Sequence, residues 1–348
     1  MIDSEIAHTP QRLPVHPSPV RKHAEWVPHL ALVITTAGWG LSFSLMRSWQ
    51  TATAPEVPFP GLMSGLVLIF IRMILALGLF LLLQPRIVFR MKPRDWAAGL
   101  GVGFPLWTGF TLQLWGLEFT TPAKSAFFTS ICSLWVPIIF WLFGKTIAAR
   151  VWLGFAIAAF GLVILVEGGL SWGYGEGLTM AGSFAFALQI LALDRFGKGA
   201  DGNKITPGLF LTNFLFSGFM ILGLCAISRT GGTLFAWSVE RLRDMPTLIN
   251  LGLMVLIPTL MSYSLMNAFQ PLVSAEKAAM IYLLEPIFSY AFSLLFGLDQ
   301  LQASMIAGGI FVICGVIVVE TQNSSVEPAP IGGKKGSTAE DPTRKPIA

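Results

Sequence analysis

Histidine, cysteine and charge are all scarce in this 348-residue chain, and each shortage closes off a class of function. The four histidines, His8, His16, His23 and His29, all precede or open the first apolar run. The hydrophobic body that follows therefore has no imidazole for a hydrolytic triad or a metal site. The three cysteines, Cys132, Cys225 and Cys314, lie far apart inside apolar stretches, which excludes a disulfide framework or thiolate cluster and leaves small packing residues. Only 12% of residues are charged, and no basic patch interleaves with aromatics as a nucleic-acid surface would need. Gly99-Leu100-Gly101-Val102-Gly103 resembles a nucleotide loop only superficially: it has no preceding strand and sits inside an apolar run, where glycines serve close helix packing. The first 27 residues are polar, carry Pro10, Pro14, Pro17 and Pro19, and do not follow a signal-peptide pattern.

What the chain does have is apolar length. Hydrophobic residues make up 54%, and ten apolar stretches fall near 28–47, 61–84, 96–117, 122–143, 149–166, 177–194, 207–227, 247–269, 276–296 and 302–319. In lipid each stretch must satisfy its own backbone, and the short alternating segments of a membrane barrel are missing, so the expectation is an all-α polytopic membrane protein with ten transmembrane helices. Counting Lys and Arg in the intervening loops favours both termini in the cytoplasm, with 17 basic residues inside and only Arg47, Lys124, Arg229, Arg241 and Arg243 outside. The expected location is the cell membrane, plasma or bacterial inner. Residues 228–246 alternate Leu234, Phe235, Trp237 and Leu242 with charges and read as an amphipathic segment in the outer interface. The tails 1–27 and 321–348 are expected to be disordered and cytoplasmic.

The chain also repeats itself. Residues 99–167 lie on 252–320 at a constant offset of 153 without gaps, with 15 identities among the 69 aligned positions. Gly99 meets Gly252, Pro105 meets Pro258, Lys124 meets Lys277, Leu142-Phe143-Gly144 meets Leu295-Phe296-Gly297, and Glu167 meets Glu320. Five helices per copy is an odd number, so a first repeat over 28–167 and a second over 177–320 would be inverted in the membrane. Inverted repeats are the mark of secondary carriers whose substrate path lies between the halves.

Several local patterns accompany the repeat. They are Trp39-Gly40-Leu41-Ser42-Phe43 in the first stretch, Arg72 in the second, Gly116 to Phe127 between the third and fourth, Leu284-Glu285-Pro286-Ile287 in the ninth, and Ile313-Cys314-Gly315-Val316 in the tenth. In order and spacing they resemble the EamA-type families of the drug/metabolite transporter superfamily over about residues 30–320. Two positions depart from that pattern. Gly144-Lys145-Thr146-Ile147 and Leu298-Asp299-Gln300-Leu301 stand where the families carry G-E-x-L. The resemblance implies a central path lined by helices 1–4 and 6–9, with 5 and 10 peripheral. It also implies transport of a small organic metabolite, by export or exchange, without ATP or a bound cofactor.

Arg72 stands near the centre of an otherwise uncharged run from Gly61 to Leu83, where an arginine costs about 2.5–3.5 kcal/mol to insert and normally faces protein or water. It reads as either a transport-cycle residue or a clamp between helices. Glu285 lies eight residues beyond Lys277, deep in the ninth stretch, and reads as either a proton-coupling carboxylate or part of a fixed kink with Pro286. Trp39, Trp107, Gln113, Gln189, Tyr263, Asn267 and Tyr282 are candidates for the cavity wall, against the alternative of interhelical hydrogen bonding. Lys124 and Lys277 are candidate gate or mouth residues that snorkelling to headgroups would equally explain. Trp26, Trp49, Trp96, Trp152 and Trp172 are expected as interface anchors. The expected partners are a small-molecule substrate and membrane lipids, with no nucleic acid; the oligomeric state is open. The rival reading from another class is a non-transporting scaffold or accessory subunit. A scaffold leaves Arg72 and Glu285 in packed protein, whereas a carrier exposes both to a central cavity.

Overall fold

The computed structural model describes residues 24, 26–50, 57–120, 122–165, 172–198, 201–298 and 300–321, without the side chains of 47, 48, 50 and 122–124. Most of the two expected tails, the side chains of Arg47 and Lys124, and Glu167 of the repeat lie outside the described residues. All described secondary structure is helical: α1 (Trp26–Gln50), α2 (Pro60–Leu83), α3 (Pro85–Val88), α4 (Pro93–Leu117), α5 (Pro122–Ser130), α6 (Cys132–Leu142), α7 (Ala149–Leu165), α8 (Tyr174–Gly197), α9 (Ile205–Ser228), α10 (Gly231–Arg243), α11 (Met245–Met254), α12 (Ser262–Phe269), α13 (Ala275–Tyr282), α14 (Glu285–Leu295) and α15 (Ala303–Glu320). Among the described residues, eight helical spans are long and apolar enough to cross a membrane. Among the expected ten, the other two are α7, which has 17 residues, and α4, whose Arg94, Asp95, Thr108, Thr111 and Gln113 lower its hydropathy. The outward faces carry Phe160, Phe219, Leu222 and Ile227 exposed, a surface that suits lipid and would be a liability in water.

Prolines and short polar side chains set the helix ends. Pro60, Pro93 and Pro286 occupy first-turn positions, where the missing N–H is no loss. Asp95 accepts the Lys92 amide at 2.8 Å, and Asp244 accepts the Thr247 amide at 3.1 Å, each capping a helix start. Gly144 and Gly297, partners at the 153 offset, both have positive φ, 79° and 66°. Each terminates its helix with the same six-residue bond, Lys145 N–H to the Phe140 carbonyl at 2.9 Å and Leu298 N–H to the Ser293 carbonyl at 2.8 Å.

Glycine lets the rods meet backbone to backbone. A Cβ on Gly161 would stand 2.6 Å from the Gly308 carbonyl, and one on Gly154 would stand 2.8 Å from the Gly315 carbonyl, so α7 and α15 run antiparallel. Gly99 on Gly208 and Gly103 on Thr212 set α4 parallel to α9, whereas Gly116 on Gly175 and Gly109 on Gly182 set it antiparallel to α8.

Three sequence readings change. α1 already begins at Trp26, so the end of the expected N-terminal tail is helical. The fourth and ninth stretches are not single helices: each breaks, at Ile131 between α5 and α6 and at Leu283-Leu284 between α13 and α14. At the second break Pro286 has no N–H to return to the Tyr282 carbonyl. Trp49 is not an interface anchor but is 2% exposed, with its indole N–H on the Ser64 carbonyl at 2.9 Å. It packs edge-on against Trp237 of α10 at 5.5 Å, which holds the amphipathic 228–246 segment, here helical, onto the bundle.

Candidate functional site

The site begins with a proline. Pro258 lies in a π-helical turn, Val255–Met261, between α11 and α12, and cannot donate to the Met254 carbonyl. The Thr259 hydroxyl donates to that carbonyl instead, at 2.7 Å. Its proton is thereby committed, and its lone pairs accept Arg72 Nε at 3.2 Å and Nη2 at 3.0 Å. Arg72 Nη1 reaches Met46 Sδ at 3.8 Å, and the guanidinium stands 5.8 Å from the Phe110 ring centre. The arginine is 4% exposed, yet among the described residues it has no carboxylate within ion-pair distance.

Arg72 forms one wall of a cavity of about 640 Å³ including its mouth, and Glu285 forms another. Among the described residues the Glu285 carboxylate makes neither an ion pair nor a hydrogen bond. The two groups face one space without meeting, and the Tyr263 hydroxyl lies within electrostatic range of both. Trp39 fills the aromatic wall, with ring centres 5.6 Å from Tyr263 and 5.1 Å from Tyr282. Gln113 donates to the Thr129 hydroxyl at 2.8 Å, joining α4 to α5, and Gln189 reaches Met266 Sδ at 3.6 Å.

The cavity thus brings together seven of the expected residues: Arg72, Glu285, Trp39, Gln113, Gln189, Tyr263 and Tyr282. Trp107 and Asn267 are not among its lining. Trp107 points to the flank between α4 and α9, against Phe104 and Phe216. Asn267 is fully buried and donates to Thr206 Oγ1 at 3.0 Å, which makes it interhelical glue. Lys277 sits at the start of α13, half-buried and within electrostatic range of Glu320 on α15, away from the cavity; the Lys124 side chain lies outside the described residues.

Sequence reasoning passed over Ser42, Phe43, Met46, Leu106, Phe110, Thr129, Cys132, Phe186 and Ile190, which complete the wall. A signal for three of them was present. Phe110, Thr129 and Cys132 are the 153-offset partners of Tyr263, Tyr282 and Glu285, and all six line the cavity. Leu106, also on the wall, is likewise the partner of Thr259, which holds Arg72. At each pair the first half supplies the apolar or smaller residue and the second half the hydroxyl or carboxylate that carries the chemistry.

Comparison with known proteins agrees with this architecture. Residues 173–321 match the EamA-like transporter family. An uncharacterized transporter of Archaeoglobus fulgidus is 23% identical over 231 residues, 66% of this chain and 70% of that protein. A solved crystal structure superposes with a TM-score of 0.59 at 16% identity, over 84% of this chain and 96% of the other, a likeness of fold. The class is therefore a multi-pass membrane transporter of small molecules. The family match covers residues 173–321, the second half of the chain, and with the transporter relative it supports the drug/metabolite transporter superfamily.

Proposed function

We propose that the protein is a secondary transporter, an exporter or exchanger of a small organic metabolite, working by alternating access between two inverted five-helix repeats. In this reading ten spans leave both termini on one side, the basic loops make that side the cytoplasm, and the path runs between the halves. The observation that carries this reading is the pair of opposite charges, Arg72 and Glu285, each without an ionic partner among the described residues, on a cavity built from duplicated positions. Buried charge left unpaired by the protein is costly, and a wet cavity or an occupant of complementary charge relieves that cost. A metabolite bearing both an acidic and a basic group fits the cavity, its anionic end on Arg72 and its cationic end on Glu285, with apolar parts against Trp39, Tyr263 and Tyr282. Between occupants the Glu285 carboxylate can hold a proton, which couples transport to a pH gradient. Matching helix breaks at 131 and 283–284, matching glycine termini and the antiparallel α7/α15 seam support the inverted-repeat arrangement.

The reading is tested with purified protein in liposomes, offered labelled zwitterionic, anionic and cationic metabolites. Saturable, ATP-independent flux that prefers zwitterions is expected. Neither flux nor binding across the panel would favour the accessory-subunit reading.

A further inference from the structure

One end of the cavity is packed shut. Gly202 lies against the Asn267 carbonyl and Gly197 against Pro271, while Met266, Asn267, Gln270 and the run Ala278–Leu283 are buried. Beyond the break at Leu283-Leu284 the contrast is sharp, because α14 contains no buried residue at all. The plug is tight, whereas the helix leading away from it is only partly covered.

Gln270 sits at the centre of this plug, 1% exposed, in the 3₁₀ turn Gln270–Leu272 that follows α12. Its Nε2 donates to the Ile190 carbonyl of α8 at 2.8 Å, and its Oε1 accepts the Tyr282 hydroxyl at 2.9 Å. A single side chain thus ties α8, the turn and α13. The Ile190 carbonyl lies within α8, where its other lone pair serves the helix ladder. Gln270 can therefore let go without unravelling α8. Tyr282 belongs to both parts, since its ring lines the cavity against Trp39 while its hydroxyl holds Gln270. The first half has no copy of this arrangement: Leu117 stands at the position equivalent to Gln270, and Thr129, equivalent to Tyr282, pairs with Gln113 instead.

We propose that the chain Tyr282–Gln270–Ile190 is the latch that closes the transport path at the α8–α13 end, with Tyr282 linking the latch to whatever occupies the cavity. Gln270 and Tyr282 are positioning residues in this scheme. It rests on the alternating-access reading above and assigns the closed end to named bonds.

Cys132, on the cavity wall, supplies the probe. In a Cys225→Ser, Cys314→Ser background, a small membrane-impermeant methanethiosulfonate is applied from one side at a time to sealed proteoliposomes of known orientation, and modification of Cys132 is followed by mass spectrometry. The parent should react slowly from the α8–α13 side. Gln270→Ala and Tyr282→Phe should each accelerate that reaction about five- to tenfold, the factor one net hydrogen bond allows. Melting temperature and gel-filtration profile should hold for Tyr282→Phe, which removes only the hydroxyl. Unchanged sidedness in the folded Tyr282→Phe protein would overturn the latch, whatever Gln270→Ala does. Because the readout is access and not flux, a parent that transports while its variants keep their sidedness refutes the latch alone. A parent without flux whose variants still shift refutes the transport reading alone.

Discussion

The α7/α15 seam and the walls of the cavity are both made of membrane helices, yet they are held by opposite means. Along the seam Gly154, Gly161, Gly308 and Gly315 bring backbone against backbone, and the middle of the contact holds only apolar and small residues. Around the cavity, Arg72, Gln113, Gln189, Gln270 and Tyr282 hold helices through one to three side-chain bonds each. The first kind of contact has one good geometry, because close-packed surfaces do not slide continuously. The second can be exchanged for water or substrate at modest cost, since a net hydrogen bond contributes only about 0.5–1.5 kcal/mol. In the proposed mechanism the seam is scaffold and the cavity wall is where the molecule changes state.

The largest effect should come from breaking the seam. Gly161→Val drives a side chain into the Gly308 carbonyl, and overpacking of this kind costs about 1–3 kcal/mol or more, so folded yield in detergent should fall sharply. Normal yield and melting temperature would dissolve the distinction between seam and wall. Next comes Arg72→Ala, which should recover folded protein but lower flux about 10- to 100-fold, the range for lost bonds to a charged group, while Arg72→Lys keeps much more. Wild-type flux in Arg72→Ala would make Arg72 a clamp only, a role its bonds to Thr259 already give it in part.

Thr259→Val is smaller. It frees the Met254 carbonyl and loosens Arg72 without removing the charge, so flux should drop about threefold to tenfold with the same substrate preference. Asp244, exposed and outside the spans, should matter least. The Thr247 hydroxyl and amide hold its carboxyl below the ordinary carboxylate range, so its stabilisation is present above about pH 4 and fades as pH falls through the lowered value. Asp244→Asn should therefore melt slightly earlier at neutral pH and match the parent in acid.

These contrasts also mark how far the residues could be read in advance. Arg72 and Glu285 are legible because charge inside an apolar run is anomalous on its own, and both reach the cavity. Phe110, Thr129 and Cys132 were within reach through the repeat. Met46 and Phe186 were not, since an apolar residue facing a cavity looks in sequence like one facing lipid or core. Asn267 and Gln270 are amides three residues apart on adjoining helical turns, and their different roles depend on which element each meets, Thr206 on α9 or Ile190 on α8. The π turn at 255–261 and the break at Ile131 are likewise products of packing: prolines 105 and 258 are repeat partners, yet α4 runs through the first as an uninterrupted α-helix.

The central claim is that Arg72 and Glu285 face the transported molecule, with Glu285 as the coupling carboxylate, and one measurement addresses it most directly. Net uptake of a zwitterionic metabolite is followed in proteoliposomes with and without an imposed pH gradient, for the parent and for Glu285→Gln, which keeps the side chain's shape. The parent's flux should rise with the gradient, and Glu285→Gln should lose that response while retaining exchange. A Glu285→Gln protein whose flux still follows the gradient would contradict the claim and reduce Glu285 to a companion of the Pro286 break.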